Sequence, residues 1–192
     1  MSDDMWANAI SFILAKVISF AFGEESQSGT AEIGSRIAIW RDLAKDVASW
    51  RESRPATFHP FSNAPKMGSP FPSIWLLRPW HIAGEQYCFI AEILLALSEP
   101  QAPATTDACK RAAITEHALK VCGLAFTNDD PSGRVNAFGP LTFCGRYLVE
   151  QSHQEGLVSM LHEFGLQVGW PVQPIIEDLR WHWSHPNTEN WR

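Results

Sequence analysis

Basic residues are sparse in this sequence: fifteen lysines and arginines stand against twenty-one acids, giving a formal net charge of −6, and no basic run exceeds Lys110-Arg111. Holding nucleic acid takes a concentrated positive stripe that neutralises successive phosphates, so autonomous DNA or RNA binding is not expected. Cysteine is also scarce. The four stand at 88, 109, 122 and 144, with no Cys-x-x-Cys pair. Each falls within or near an apolar helical pattern, which predicts buried, reduced thiols and neither a disulfide frame nor a zinc site. Only two tyrosines accompany nine tryptophans and eleven phenylalanines, so the aromatics offer much apolar area with few hydroxyl handles and are expected to fill a core.

Two further absences narrow the class. No alternating apolar/polar run of six residues occurs, which leaves no signature for a half-buried strand. The one apolar stretch that raises the question of a membrane or a leader, residues 9–22, is interrupted by Lys16 and follows an acidic start, Ser2-Asp3-Asp4. Its fourteen residues fall short of the ~20 needed to span a bilayer, so secretion and membrane insertion are disfavoured and an intracellular location is expected.

What the sequence does contain is helical periodicity and proline. A chain of 192 residues can bury roughly 70% of its unfolded surface, and with 45% hydrophobic and 19% charged residues it is far from the composition of disorder. Met5, Trp6, Ala9, Ile10, Ile13, Leu14, Val17, Ile18 and Ala21 recur at spacings of three and four. This predicts a helix over 5–22, and Phe12 and Phe20 widen its stripe enough to imply burial on more than one side. A second helix is predicted over 30–52, with Thr30 as N-cap and Ile33, Ile37, Trp40, Leu43, Val47 and Trp50 on one face. Six prolines at 55, 60, 65, 70, 72 and 79 forbid a long helix or central strand there. Because Phe58, Phe61, Phe71, Ile74, Trp75 and Leu77 are interleaved with them, residues 55–79 are expected to form an ordered segment lying across the core.

Pro79 suits the first turn of a third helix carrying Ile82, Gln86, Phe89, Ile90, Ile93, Leu94 and Leu97. After a break at 100–106, Asp107 is a candidate N-cap for a fourth helix through Ala125, whose small face (Ala112, Ala113, Ala118, Cys122) invites close approach. Residues 128–133 read as a turn, followed by a fifth helix over 134–151 that Pro140 is expected to kink or split. A sixth runs through Leu157, Leu161, Phe164 and Val168. The seventh begins at Gly169-Trp170-Pro171 and carries Ile175, Ile176, Leu179 and Trp183. No internal repeat is present. The expectation is a single all-α domain over 1–192: an irregular bundle of about seven helices with the proline-rich segment packed across it.

Candidate chemistry is thin. His182 and His185 are three apart and could share a helix face as metal ligands, but no third ligand is positioned for them, so they read as the polar end of an aromatic-rich helix. His162-Glu163 lacks the second histidine of a metalloprotease helix because position 166 is Leu. The segment Gly139-Pro140-Leu141-Thr142-Phe143-Cys144-Gly145 is neither a nucleophile elbow nor a phosphate loop, and Cys144 has no identifiable histidine partner. Glu150, Glu155, Glu163, Glu177 and Asp178 show no spacing suited to acid–base work and read as a solvated surface. No catalytic, metal-binding, cofactor-binding or DNA-binding residue is assigned, and no cofactor is expected.

Several blocks together resemble one family. They are Trp40-Arg41-Asp42-Leu43; Trp50-Arg51-Glu52-Ser53-Arg54-Pro55 with Phe58-His59-Pro60; Pro70-Phe71-Pro72-Ser73-Ile74-Trp75; Gln86-Tyr87; and Ala91-Glu92-Ile93-Leu94-Leu95. Further on come Val121-Cys122-Gly123-Leu124-Ala125 with Asn128, Asn136-Ala137, Pro140-Leu141, Cys144-Gly145-Arg146, and Gly169-Trp170-Pro171 with Ile175-Ile176 and Leu179-Arg180. In this order, over roughly residues 8–183, they resemble the C-terminal regulatory region of fungus-specific transcription factors. In that family the region follows a binuclear zinc cluster built from six cysteines, which binds DNA. No such cluster or basic arm is in this sequence, so no metal-ligating or DNA-contacting residue carries over.

The resemblance implies a nuclear, non-enzymatic regulatory domain that engages protein partners, such as a full-length regulator or the transcription machinery, or a small-molecule effector, and that could serve a metabolic gene cluster. Neither direct nucleic acid binding nor a membrane is implied, and the surface that engages a partner is not legible. Two alternatives accompany this reading. One is a small-molecule-binding protein or enzyme of a fungal biosynthetic pathway, with Trp75, Trp80 and the cysteines near a proline-rich bend that forms a pocket mouth, and with Cys144 and His81 as the residues whose change would abolish turnover. The other is a fragment that pairs with full-length regulators through exposed apolar surface.

Overall fold

The structure, a computed structural model, describes residues 2–23, 30–63, 68–100, 107–128 and 131–185. The expected loop at 24–29, the break at 101–106, Pro65, and the capping side chains of Thr30 and Asp107 lie outside what is described. Among the described residues seven α-helices follow in order: α1 (Asp3–Phe22), α2 (Thr30–Ser53), α3 (Pro79–Leu97), α4 (Asp107–Thr127), α5 (Pro131–Gly145), α6 (Gln151–Val168) and α7 (Gln173–Ser184). A single 3-10 turn, Ala56–Phe58, follows α2. Among the described residues the fold is all-α, the only sheet-like pairing being one isolated bridge between Ser62 and Trp75.

The core is organised around α3. Its sequence is apolar nearly all round, which suits a helix enclosed by others, and it packs against α1, α2, α4 and α5. Cys88, Ala91 and Ile93 have no exposed surface, and Leu94 almost none. Pro79 stands in its first turn, where a missing N–H costs nothing. Three indoles fasten the helices across long sequence distances. Trp50 Nε1 donates to the Trp6 carbonyl at 2.9 Å, Trp40 Nε1 to Leu95 at 2.9 Å, and Trp183 Nε1 to Gly145 at 2.9 Å. Each indole buries ring area while satisfying its single donor.

Several expectations shift in the structure. Helix α1 begins at Asp3 and runs for 20 residues, and its most apolar 18-residue window, with a mean hydropathy of 1.6, is long and apolar enough to cross a membrane by length and composition. Little of that window is buried, the buried residues being Ala7, Ile10, Leu14 and Val17. The predicted burial on more than one side is therefore corrected: Phe12 is 72% exposed. On α4 the small face is half as predicted, with Ala118 and Cys122 buried but Ala112 and Ala113 exposed. Helix α5 starts earlier than the expected Arg134, at Pro131, and ends at Gly145 rather than Gln151, running continuously through buried Pro140. Helix α7 starts at Gln173, and the proline in its first turn is Pro174, not Pro171, because Gly169 at φ 70° closes α6 in a left-handed cap and the chain must turn before resuming.

Within 55–79, residues 64–67 lie outside the description. The remainder packs inward through Phe58, Phe71 and Leu76, whereas Phe61, Trp75 and Leu77, expected to face the core, are exposed. The end of α4 clamps this segment. Asn128 Nδ2 donates to the Ile74 carbonyl at 2.8 Å, its Oδ1 accepts from the Leu76 N–H at 3.1 Å, and Thr127 Oγ1 accepts from the Ile74 N–H at 3.2 Å. At Gly123 a Cβ would stand 2.3 Å from the Pro72 carbonyl oxygen, so only glycine lets α4 approach the segment this closely.

Candidate functional site

Two regions concentrate side-chain chemistry, one internal and one external. The internal one is a charged belt where α2, α3 and α4 meet. Arg51 grips Glu92 with both nitrogens, Nε to Oε1 at 2.7 Å and Nη2 to Oε2 at 2.8 Å, and its Nη1 lies 3.7 Å from Glu85 Oε2. Arg54 Nε approaches Glu85 Oε1 to 2.6 Å without the alignment of a hydrogen bond, and His117 Nε2 is 3.5 Å from Glu92 Oε2. The guanidinium of Arg51 and the ammonium of Lys120 lie 4.7 and 5.5 Å from the Phe89 ring centroid, and His117 packs against the same ring. Burial pushes the Glu85 carboxyl up from its usual range, against the pull of Arg54 and Arg51. Burial also pushes His117 below its ordinary value, opposed by Glu92.

This belt is a structural device. Its charges offset one another, although Arg54 Nε, Glu85 Oε1 and His117 Nδ1 are buried without an aligned hydrogen bond, and removing water around paired charges strengthens orientation at a desolvation cost. None of these residues was singled out as a site in the sequence. The signal that could have found them is the polar stripe Glu85, Cys88 and Glu92, at spacings of three and four inside an otherwise apolar helix.

The thiols and histidines considered for chemistry are dispersed. Cys88, Cys122 and Cys144 are buried, whereas Cys109 is exposed, correcting the expectation that all four lie inside. Burial raises the Cys88 thiol to about 12 and lifts Cys122 and Cys144 as well, so these three stay protonated and poorly nucleophilic at neutral pH. His81 is buried, with Nε2 2.9 Å from Asp3 Oδ2 and its ring against Phe58. His182 lies 3.7 Å from Asp178 and His185 stacks on Trp181, so the structure does not gather the two as a ligand pair. Among the described residues no three His, Cys, Asp or Glu side chains converge as a metal site.

The external region is a shallow open depression at the turn between α6 and α7. It is lined by His162, Leu166, Gly169, Trp170, Pro171 and Val172. It does not involve Trp75, Trp80 or any cysteine, the residues expected around a pocket mouth, nor His81. Trp170 stacks on Phe138 with ring centroids 5.6 Å apart and planes at 16°, leaving 47% of the residue exposed. From there, aromatic contacts run inward through Phe138 to Phe164, Phe126 and Phe71. Leu166, on the last turn of α6, is 88% exposed. Along α6, Glu155, Ser159, His162 and Leu166 follow one exposed stripe leading to the depression. A second exposed apolar face, Met5, Phe12 and Phe22 of α1 at spacings of seven and ten, lies elsewhere.

Comparison with known proteins adds one finding. Over 221 aligned positions the chain is 23% identical to the transcription activator AMTR1 of Alternaria alternata, an alignment that takes in 98% of this chain and 28% of that protein. No family model matches, and no solved structure matches. The chain thus spans little more than a quarter of the length of the activator it resembles, and it resembles it over nearly its own whole length.

Proposed function

We propose that this chain is a nuclear transcription regulatory module that works by engaging protein partners and carries out no bond-making itself. The observation that carries this reading is the similarity of nearly the entire chain to a segment of a fungal transcription activator. The physical features agree with it. The buried thiols are held in their unreactive form, the charged belt is self-compensated, and large apolar side chains stand exposed on α1 and at the α6–α7 turn. Exposed apolar side chains of this size, grouped on a rigid helical scaffold, suit contact with other proteins.

The test is a reporter assay in which the full chain is fused to a heterologous DNA-binding domain. A change in reporter transcript of several-fold over the DNA-binding domain alone is expected, together with helical circular dichroism and negligible DNA affinity of the unfused chain in a gel shift. An unchanged reporter, with unchanged transcripts on deletion in the native host, overturns the reading.

A further inference from the structure

We propose that the outer face formed by α6, the Gly169–Val172 turn and the start of α7 docks a basic segment of a partner protein, seating one of its apolar side chains in the depression beside Trp170. This rests on the regulatory reading and specifies its surface. The apolar anchor site is Leu166 and Trp170, both standing out into solvent, with Trp170 held rigid by its stack on Phe138. The flanking charge selects the occupant. Residues 147–179 contain no lysine or arginine but five acids. Asp178 is taken up by Arg146 at 2.9 Å and Glu150 lies 3.7 Å from His153.

The other three carboxylates meet only neutral amides one turn away: Glu155 accepts from Gln151 at 2.7 Å, Glu163 from Gln167 at 3.1 Å and Glu177 from Gln173 at 2.9 Å. A glutamine orients a carboxylate without cancelling its charge, so an apolar seat is bordered by negative charge that forms no ion pair among the described residues, Arg180 standing one turn beyond Glu177 without pairing to it. A lysine- or arginine-bearing segment complements both parts, and its charges would raise the encounter rate as well as fix its register. An acidic or neutral amphipathic helix would satisfy only the apolar part.

The probe is a fluorescently labelled helical peptide of leucine and lysine, measured by anisotropy against the full chain, beside its counterpart with glutamate in place of lysine. Binding of the lysine peptide is expected, at least tenfold tighter than the glutamate peptide and weakening with salt. Leu166→Asp is expected to cut affinity tenfold or more, as is Glu155→Lys combined with Glu163→Lys. Phe12→Asp on α1 should leave binding within twofold. Leu166 is exposed, so Leu166→Asp should keep the parent helical signal.

Equal binding of both peptides, or loss of binding with Phe12→Asp and none with Leu166→Asp, overturns the proposal. So does a concentration-dependent dimer abolished by Leu166→Asp, which would assign the face to a second copy of the chain. In the reporter assay Leu166→Asp should lower output at least several-fold. Full output with Leu166→Asp overturns the docking site while the regulatory reading stands, whereas a parent chain with no output overturns that reading first.

Discussion

The belt between α2, α3 and α4 and the outer face of α6 use the same side chains to opposite ends. In the belt, Glu85 and Glu92 meet Arg54 and Arg51, and the pairs are largely withdrawn from water. On α6, Glu155 and Glu163 meet glutamines and remain in solvent. A carboxylate paired with a guanidinium contributes to holding helices in place. One steadied by an amide keeps its field for something outside the molecule. The difference separates scaffold from surface more sharply than hydrophobicity does, because large apolar side chains occur in both.

The comparison breaks most readily at Arg51. Arg51→Met leaves Glu92 and Glu85 without their shared cation, and a loss of about 3–5 kcal/mol is expected in urea or guanidinium unfolding. A loss below about 1 kcal/mol would mean the belt is not structural. Glu92→Gln keeps the shape, removes the opposite charge and turns one of the two oxygens that accept from Arg51 into a donor; roughly 1–3 kcal/mol should be lost.

His117 sharpens the contrast through pH. Its folded value lies below 6.5, so below pH 6.5 the unfolded chain binds more protons and stability falls as pH drops. Glu85 works in the other sense. Its folded value lies above 4.5, so its contribution is greatest below 4.5 and fades as pH rises through the folded value. His117→Phe, which can keep the packing on Phe89, should therefore flatten the decline in Tm on acidification below pH 6.5. An unchanged slope would show that His117 is not responsible. The smallest effect belongs to the outer face: Glu163→Gln should change stability by less than about 0.5 kcal/mol, because its carboxylate serves no buried pair.

The helices were largely legible, because the three- and four-residue spacing of Ile10, Leu14 and Val17, or of Ile82, Phe89 and Ile93, records which face is covered. Their ends were less so. Residues 128–133 look like a turn by composition, yet Pro131 opens a helix while Asn128 hydrogen-bonds residues more than fifty positions earlier. No local pattern encodes that pairing. Phe12 misled for a related reason: periodicity tells how wide an apolar stripe is, not how much of it a neighbour covers. From sequence, the carboxylates of the outer face read as a solvated surface. Sequence alone does not show that Trp170 stacks on Phe138 and lines an open depression with Leu166.

The clamp at Asn128 has a bearing on the order of events when the chain acquires its structure. Its bonds to Ile74 and Leu76 close loops of 54 and 52 residues that contain all of α3, so both flanking helices must already be docked before the amide can find its partners. Contacts of such reach are expected to form late. They govern how long the native state persists once reached more than how quickly it arises, which makes the proline segment a keystone set after the arch is built.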